Sequence, residues 1–228
     1  LDSATGAQLW KQKIAASTGG DTWSAAACEG FVIFPATEAS KNGGTTEVIA
    51  VHPSDGAVLW RYSLGPPNLT MVFPQGMTNL VSAGYNQMPA IVDDSVLFTS
   101  VNGGAYRIGL QDGKEMWHTP GVPEAGFTTA GGLVVGPNER VYLGASRNLG
   151  WGMLRVFDLA TGEVLANKTF DLPLHAAPAV APLSPGGPLA VFVTIGRDLE
   201  CDPMIPLPTP ARILALDAVT LEQLWEFV

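Results

Sequence analysis

The stretch that decides the fold reads LDSATGAQLW at residues 1–10 of the 228-residue chain, and it returns four more times. The later copies read VHPSDGAVLW at 51–60, IGLQDGKEMW at 108–117, FDLATGEVLA at 157–166 and LDAVTLEQLW at 216–225. In each copy an apolar run enters a short polar turn, and a second apolar run leaves it. This pattern predicts a β-hairpin.

The turn of each hairpin needs a residue with positive φ, which glycine adopts at little cost. Four copies supply it as Gly6, Gly56, Gly113 and Gly162. The fifth copy has Leu221 instead, so we expect the last turn either to differ from the others or to be strained.

The spacing of the copies indicates a repeat architecture. The copies end at residues 10, 60, 117, 166 and 225, so they lie 50, 57, 49 and 59 residues apart. This period exceeds the roughly 40–45 residues of WD40 blades and is close to the roughly 50 of kelch blades. A further strand pair precedes each of the last four hairpins, with turns expected at 29–30, 93–94, 137–140 and 182–188. Four-stranded units at a steady period predict the blades of a β-propeller, an all-β fold of antiparallel sheets.

The recurring pattern of an Asp, a Thr-Gly turn and a closing Leu-Trp resembles the tryptophan-docking repeat of the pyrroloquinoline-quinone (PQQ)-like, or quinoprotein alcohol dehydrogenase-like, propellers. In that family each tryptophan stacks on the turn of the neighbouring blade. The resemblance therefore implies a blade-docking role for Trp10, Trp60, Trp117 and Trp225. The fourth copy has Ala166 at this position, so we expect one weaker blade junction.

About four and a half blades are predicted, and relatives with this repeat usually have seven or eight, so we expect the chain to be part of a larger ring. We call the four strands of each blade A to D in chain order. The predicted units are then a C–D hairpin at 1–14 and blades at 22–63, 86–119, 127–170 and 175–228.

Charge and hydropathy exclude two classes of partner. The net charge is -9 and no basic stripe occurs, which disfavours nucleic acid. No apolar run approaches the roughly 18 residues that would cross a bilayer, so we expect no direct membrane insertion in this segment. Cys28 and Cys201 lie far apart and form no ligand motif, and the sequence leaves their pairing open.

The long connections indicate where binding would occur. In a four-stranded meander the D–A and B–C connections share one end, and here they include the long stretches 41–47, 65–85, 147–152 and 197–211. Function concentrates on elaborated loops of a rigid scaffold. We therefore predict a partner-binding face there. Its candidate residues are Trp23, Gln87, Phe127, His175, Arg197, Asp198 and Pro206.

Two functions remain open at this point. The first is a non-catalytic scaffold that binds protein partners within a larger assembly, with no cofactor. The second, implied by the resemblance, is a dehydrogenase that uses PQQ and Ca²⁺, whose family places the quinone against two adjacent cysteines and holds calcium with Glu, Asn and Asp. The chain has no Cys-Cys pair and no such ligand set, so no catalytic or metal residue is assigned and the scaffold is favoured. By resemblance alone, an extracytoplasmic location is weakly favoured.

Overall fold

The computed structural model describes most of the chain, with gaps in the connections. The described residues are 2, 4–12, 25–37, 46–65, 69–72, 78–81, 88–100, 103–122, 127–128, 132–147, 151–174, 176–196 and 210–228. They form strands and turns with no helix, so none of them lies in a helix that could cross a membrane.

Four antiparallel sheets, here called blades 1 to 4, account for most of the strands. Blade 1 consists of β1 (Ala26–Cys28), β2 (Phe31–Thr37), β3 (Thr46–Val51) and β4 (Val58–Ser63). A separate pair, β5 (Leu69–Val72) and β6 (Thr78–Val81), follows it. Blade 2 consists of β7 (Ala90–Val92), β8 (Ser95–Thr99), β9 (Ala105–Gly109) and β10 (Glu115–Thr119). Blade 3 consists of β11 (Phe127–Thr128), β12 (Leu133–Val135), β13 (Arg140–Arg147), β14 (Trp151–Asp158) and β15 (Val164–Phe170). Blade 4 consists of β16 (Ala179–Pro182), β17 (Leu189–Ile195), β18 (Arg212–Asp217) and β19 (Gln223–Phe227).

Apart from β11 and β12 of blade 3, strands that are consecutive in sequence within a blade are neighbours in the sheet, as in an up-and-down meander. The A–B turns fall at 29–30 and 93–94, at 136–139 where 137–140 was predicted, and at 183–188 within the predicted 182–188. The all-β fold of antiparallel, four-stranded blades is therefore confirmed.

Two details were absent from the prediction. In blade 3 the first strand is interrupted, and β11 and β12 both pair with β13. In the 65–85 stretch, β5 and β6 form a two-stranded sheet of their own, with Leu69 opposite Val81 and Val72 opposite Thr78. The stretch was predicted only as a long connection.

The apolar core lies between blades rather than inside any one of them. One cluster joins Val48 and Trp60 of blade 1 to Phe98 and Ile108 of blade 2. Equivalent clusters join blade 2 to blade 3 and blade 3 to blade 4. Middle strands such as β8 and β14 are buried along nearly their whole length because a sheet covers each of their faces. This arrangement explains why their sequences are continuous apolar runs instead of alternating ones.

Candidate functional site

The predicted partner-binding residues lie outside what the structure describes. Trp23, Gln87, His175, Arg197, Asp198 and Pro206 are not among the described residues, and of Phe127 only the backbone, in β11, is described. The predicted binding face therefore stays a prediction.

The hairpin turns share one geometry. The glycines have φ of 70° at Gly6, 73° at Gly56, 65° at Gly113 and 74° at Gly162. The amide of each glycine donates to the carbonyl four residues earlier, as Gly162 does to Asp158 at 2.9 Å. Because glycine has no Cβ, it takes this left-handed conformation without a steric penalty.

Aspartates cap three of these turns. The Asp158 carboxylate accepts hydrogen bonds from the hydroxyl and the amide of Thr161, both at 2.8 Å. These bonds hold the pKa of Asp158 below its ordinary value, the Thr161 hydroxyl contributing most. The Thr5 hydroxyl contributes most to lowering the pKa of Asp2, whereas the amides of Thr220 and Val219 contribute most to lowering the pKa of Asp217. In the second copy, where His52 replaces the aspartate, its Nδ1 accepts from the Ser54 amide at 3.3 Å.

Three indoles lie on the glycine turns of the next blade. A Cβ built on Gly56 would be 2.7 Å from the ring of Trp10, one on Gly113 would be 2.8 Å from Trp60, and one on Gly162 would be 2.6 Å from Trp117. Only glycine leaves room for these rings. The contact explains why the turn and the closing tryptophan recur together.

Each of these indoles also donates a hydrogen bond across the junction. The acceptor is the carbonyl three residues before the glycine: Pro53 for Trp10 at 2.7 Å, Leu110 for Trp60 at 2.7 Å and Leu159 for Trp117 at 3.0 Å. The blade-docking role of these residues, implied by the resemblance, is supported by these contacts and remains a proposal.

The junction between blades 3 and 4 has no indole. Ala166 lies opposite Val156, next to a β-bulge. Trp60 has the equivalent position in blade 1, where it lies opposite Ala50 and also next to a bulge. The turn residue that Ala166 would face is Leu221, which adopts a φ of 59° and donates to the Asp217 carbonyl at 2.9 Å, as the glycines do. The last turn thus keeps the common geometry. Of the two alternatives left by the sequence, the strained one is observed.

Other side chains take the place of that missing indole. The Leu221 side chain is 4% exposed and belongs to the cluster against which Ala166 packs. The carbonyl three residues before it, that of Ala218, accepts a hydrogen bond from the Tyr142 hydroxyl at 2.7 Å. Volume and hydrogen bond are thus both supplied from elsewhere. The predicted weakness of this junction stays a prediction.

Two buried arginines add hydrogen bonds between blades 2 and 3. Arg107 donates to the Leu159 carbonyl at 2.9 Å and to the Ser95 hydroxyl at 2.8 Å. Arg155 donates to the carbonyls of Gly103 and Pro120, and burial lowers its pKa. Sequence reasoning missed these residues and Tyr142, because an isolated polar residue in an apolar strand does not show which carbonyl it reaches.

A group of aromatic and titratable side chains spans blades 1 and 2. Tyr106 stacks on Phe98 at 5.0 Å and on His118 at 4.8 Å between ring centroids. The Tyr62 hydroxyl donates to the Glu115 carboxylate, and burial followed by that contact raises the pKa of Tyr62. A phenol with a raised pKa stays neutral at ordinary pH, so the group serves as packing with one charge-assisted hydrogen bond.

Among the described residues, no three His, Cys, Asp or Glu side chains lie close enough together to hold a metal ion. Cys28 carries a free thiol, and Cys201 is outside the described part of the chain. We derive no catalytic step, and the expectation that no cofactor is bound stays a prediction.

A family model described as outer membrane protein assembly factor BamB, built on PQQ-like repeats, matches residues 1–181. The chain belongs to this family. No match to this BamB-family chain was found among curated proteins.

Solved structures with the same fold include a BamB and two quinohemoprotein alcohol dehydrogenases. BamB from Moraxella catarrhalis is 17% identical, with a TM-score of 0.50, over 88% of this chain and 59% of that one. Quinohemoprotein alcohol dehydrogenase from Comamonas testosteroni is 15% identical, with a TM-score of 0.57, over 90% and 34%. Quinohemoprotein alcohol dehydrogenase ADHIIG from Pseudomonas putida HK5 is 15% identical, with a TM-score of 0.56, over 89% and 33%. At these identities the likeness establishes the propeller fold alone. The present chain spans between a third and six tenths of the length of each of these proteins.

Proposed function

We propose that the chain is a non-catalytic propeller that acts as an assembly scaffold, binds protein partners and works outside the cytoplasm. The family match supports this proposal, because its model is described as an assembly factor. The fold neighbours include that class and dehydrogenases, so they do not by themselves favour either one.

The arrangement of the polar side chains supports the same function. The Asp158 and Asp217 carboxylates accept hydrogen bonds from their own turns. The buried guanidinium groups of Arg107 and Arg155 donate to backbone carbonyls at a blade junction. These groups are engaged in holding the scaffold together, as expected where a rigid framework presents loops to a partner.

The β5–β6 hairpin is the observation that carries the choice of binding face. It pairs with none of the described blade strands, and in the sequence it lies in the D–A connection between blades 1 and 2. An isolated two-stranded hairpin is marginally stable in water, so a hairpin outside the blades is typical of a segment that contacts something else. We propose that partners bind this end of the propeller, where the other long connections also lie.

Site-specific photo-crosslinking tests this function. A crosslinking residue at position 79, in β6, should form adducts with a partner protein in cells. The matched control is position 184, in the A–B turn of blade 4 at the opposite end, which should form few adducts. Equal adducts at both positions, or more at position 184, would contradict the binding face.

A second assay separates scaffold from enzyme. The complete protein supplied with PQQ and Ca²⁺ should show no dye-linked alcohol oxidation. Measurable turnover that needs both additions would overturn the non-catalytic function.

A further inference from the structure

The outer edge of blade 3 differs in length from those of the other blades. Its last strand, β15, has seven residues, compared with six in β4 and five in β10 and β19. It pairs with β14 on one side and with no other described strand. Its free edge therefore presents backbone N–H and C=O groups with which a strand of another molecule can pair.

The side chains on the outer strands show a second difference. One residue after the closing tryptophan, blade 1 has Arg61, blade 2 has His118 and blade 4 has Glu226, and all three are exposed. Ionisable side chains on an edge strand discourage pairing with another sheet. Blade 3 has the neutral Asn167 at this position, so its longer edge lacks that protection.

Asn167 begins the triplet Asn167-Lys168-Thr169, which matches the acceptor of N-linked glycosylation. Successive side chains of a strand point to opposite faces, so Asn167 and Thr169 share a face and Lys168 lies on the other. Asn167 and Thr169 are both exposed, whereas Lys168 is half-buried. The asparagine and the hydroxyl that define the acceptor are thus together on the open side of the strand.

The amide of Asn167 is available at the atom that a glycan would occupy. Its Oδ1 accepts a hydrogen bond from Nε of Arg155 at 3.4 Å. This contact uses the oxygen, and Nδ2 has no hydrogen bond within the described part of the chain. Because the residue is exposed on an outermost strand, a glycan on Nδ2 would extend into solvent and leave the packing of the blade unchanged.

We propose that Asn167 carries an N-linked glycan, which covers the outer edge of β15. In the transfer, Nδ2 forms a bond to the anomeric carbon of a polyprenyl-pyrophosphate-linked oligosaccharide. The bond from that carbon to the pyrophosphate oxygen breaks, and one amide proton is released as the lipid pyrophosphate leaves. A glycan is bulky and solubilising, so it takes the place of the ionisable side chain of the other blades.

This inference rests on the proposed function in one respect, because the transfer takes place outside the cytoplasm. It does not depend on the proposed binding face or on the β5–β6 hairpin.

The first test is mass spectrometry of the native protein. Enzymatic release of N-linked glycans converts the modified asparagine to aspartate, and release in heavy-oxygen water marks that aspartate. We expect a marked aspartate at position 167, and an unmarked asparagine there would overturn the proposal.

The second test directs the chain into the secretory pathway of a eukaryotic cell, so that the acceptor is tested whatever the native location. Asn68→Gln first removes the other matching triplet, 68–70, which begins outside the described residues. In this background the chain should carry one glycan, and Asn167→Gln and Thr169→Val should each lose it. Thr169→Ser is the matched control and should retain it, because serine also completes the acceptor.

The two tests together separate this inference from the proposed function. An unmodified Asn167 in both would overturn the acceptor and leave the scaffold function standing. A glycan on the secreted chain but not on the native protein would overturn both the native modification and the proposed location outside the cytoplasm.

Sedimentation tests whether the glycan covers the edge. The secreted Thr169→Val variant keeps a neutral Asn167 without a glycan, so it should associate at concentrations at which the glycosylated chain stays monomeric. Asn167→Arg gives blade 3 the residue that blade 1 has at this position, and it should stay monomeric without a glycan. A Thr169→Val variant that stays as monomeric as the glycosylated chain, or an Asn167→Arg variant that associates like it, would overturn the covering role.

Discussion

Equivalent positions are occupied by different residues at two blade junctions, the one between blades 2 and 3 and the one between blades 3 and 4. In the first, the Trp117 ring lies on Gly162 and its indole N–H reaches the Leu159 carbonyl. In the second, Ala166 and Leu221 hold the two positions, and the Tyr142 hydroxyl reaches the Ala218 carbonyl. The large residue has moved from the strand to the turn.

The comparison shows which requirements of a junction are strict. Both junctions fill the space between strand D and the next turn, and both provide a donor for the carbonyl three residues before the turn residue. Neither the identity of the large residue nor its side of the junction is fixed. Leu221 achieves this at a cost, because a leucine in the left-handed region is disfavoured by roughly 1–2 kcal/mol.

The largest effect is expected from removing a docked indole. Trp117→Ala should lower the free energy of unfolding by about 3–5 kcal/mol, since it empties a buried site and leaves a junction carbonyl short of one donor. Met116→Ala, on the exposed side of the same strand, is the control and should cost less than about 1 kcal/mol, because that side chain is 50% exposed. Chemical denaturation measures both. Equal losses would show that the contact with the glycine turn contributes nothing.

A smaller effect is expected from adding one methyl group beneath an indole. Gly162→Ala places a Cβ about 2.6 Å from the Trp117 ring and also forces alanine to a φ of 74°. Gly30→Ala carries the same backbone penalty with nothing within 4 Å. Gly162→Ala should therefore be more destabilising than Gly30→Ala by about 1–3 kcal/mol, the usual cost of overpacking. If the two variants unfold alike, the close approach of indole and glycine does not matter.

The smallest effect concerns a feature that both junctions share, the aspartate caps of their turns. The pKa of Asp158 is lower in the folded chain than its value of roughly 3.9 in the unfolded chain. The carboxylate therefore contributes to the free energy of unfolding above that pH, and this contribution is lost as the pH falls through the lower pKa of the folded chain. The stability difference between the native chain and Asp158→Asn should thus be constant near neutrality and shrink in acid. Asp217→Asn should behave alike, since its pKa is lowered in the same way. Denaturation curves between neutral and acidic pH measure this, and a difference that is independent of pH would contradict it.

Much of the fold could be predicted because the hairpin pattern occurs five times in the sequence. The hairpin copies and the intervening apolar runs predict four-stranded blades, and the turns at 29–30 and 93–94 are formed by residues that favour turns. Blade packing then follows, since a middle strand with two apolar faces needs a sheet on each side.

Other features could not be predicted, for physical reasons. The replacement of Trp by the pair Leu221 and Tyr142 depends on contacts between strands about 80 residues apart, which periodicity does not contain. The β5–β6 hairpin lies in a stretch without the repeat pattern. The candidate binding residues were placed by loop length or by their position at the start of an A strand. Both criteria identify an end of a propeller but not the side chains that meet a partner.

The most direct test of the account is a double-mutant cycle that converts the unusual junction into the common one. Ala166→Trp alone should destabilise the chain by about 1–3 kcal/mol through overpacking, and Leu221→Gly alone should destabilise it by about 1–3 kcal/mol, because the emptied space outweighs the relief of backbone strain. Together they rebuild an indole over a glycine, so the double variant should be more stable than the sum of the two losses predicts, with a coupling of at least about 1 kcal/mol. Losses that add within about 0.5 kcal/mol would contradict the claim that the two positions fill one shared space between the blades.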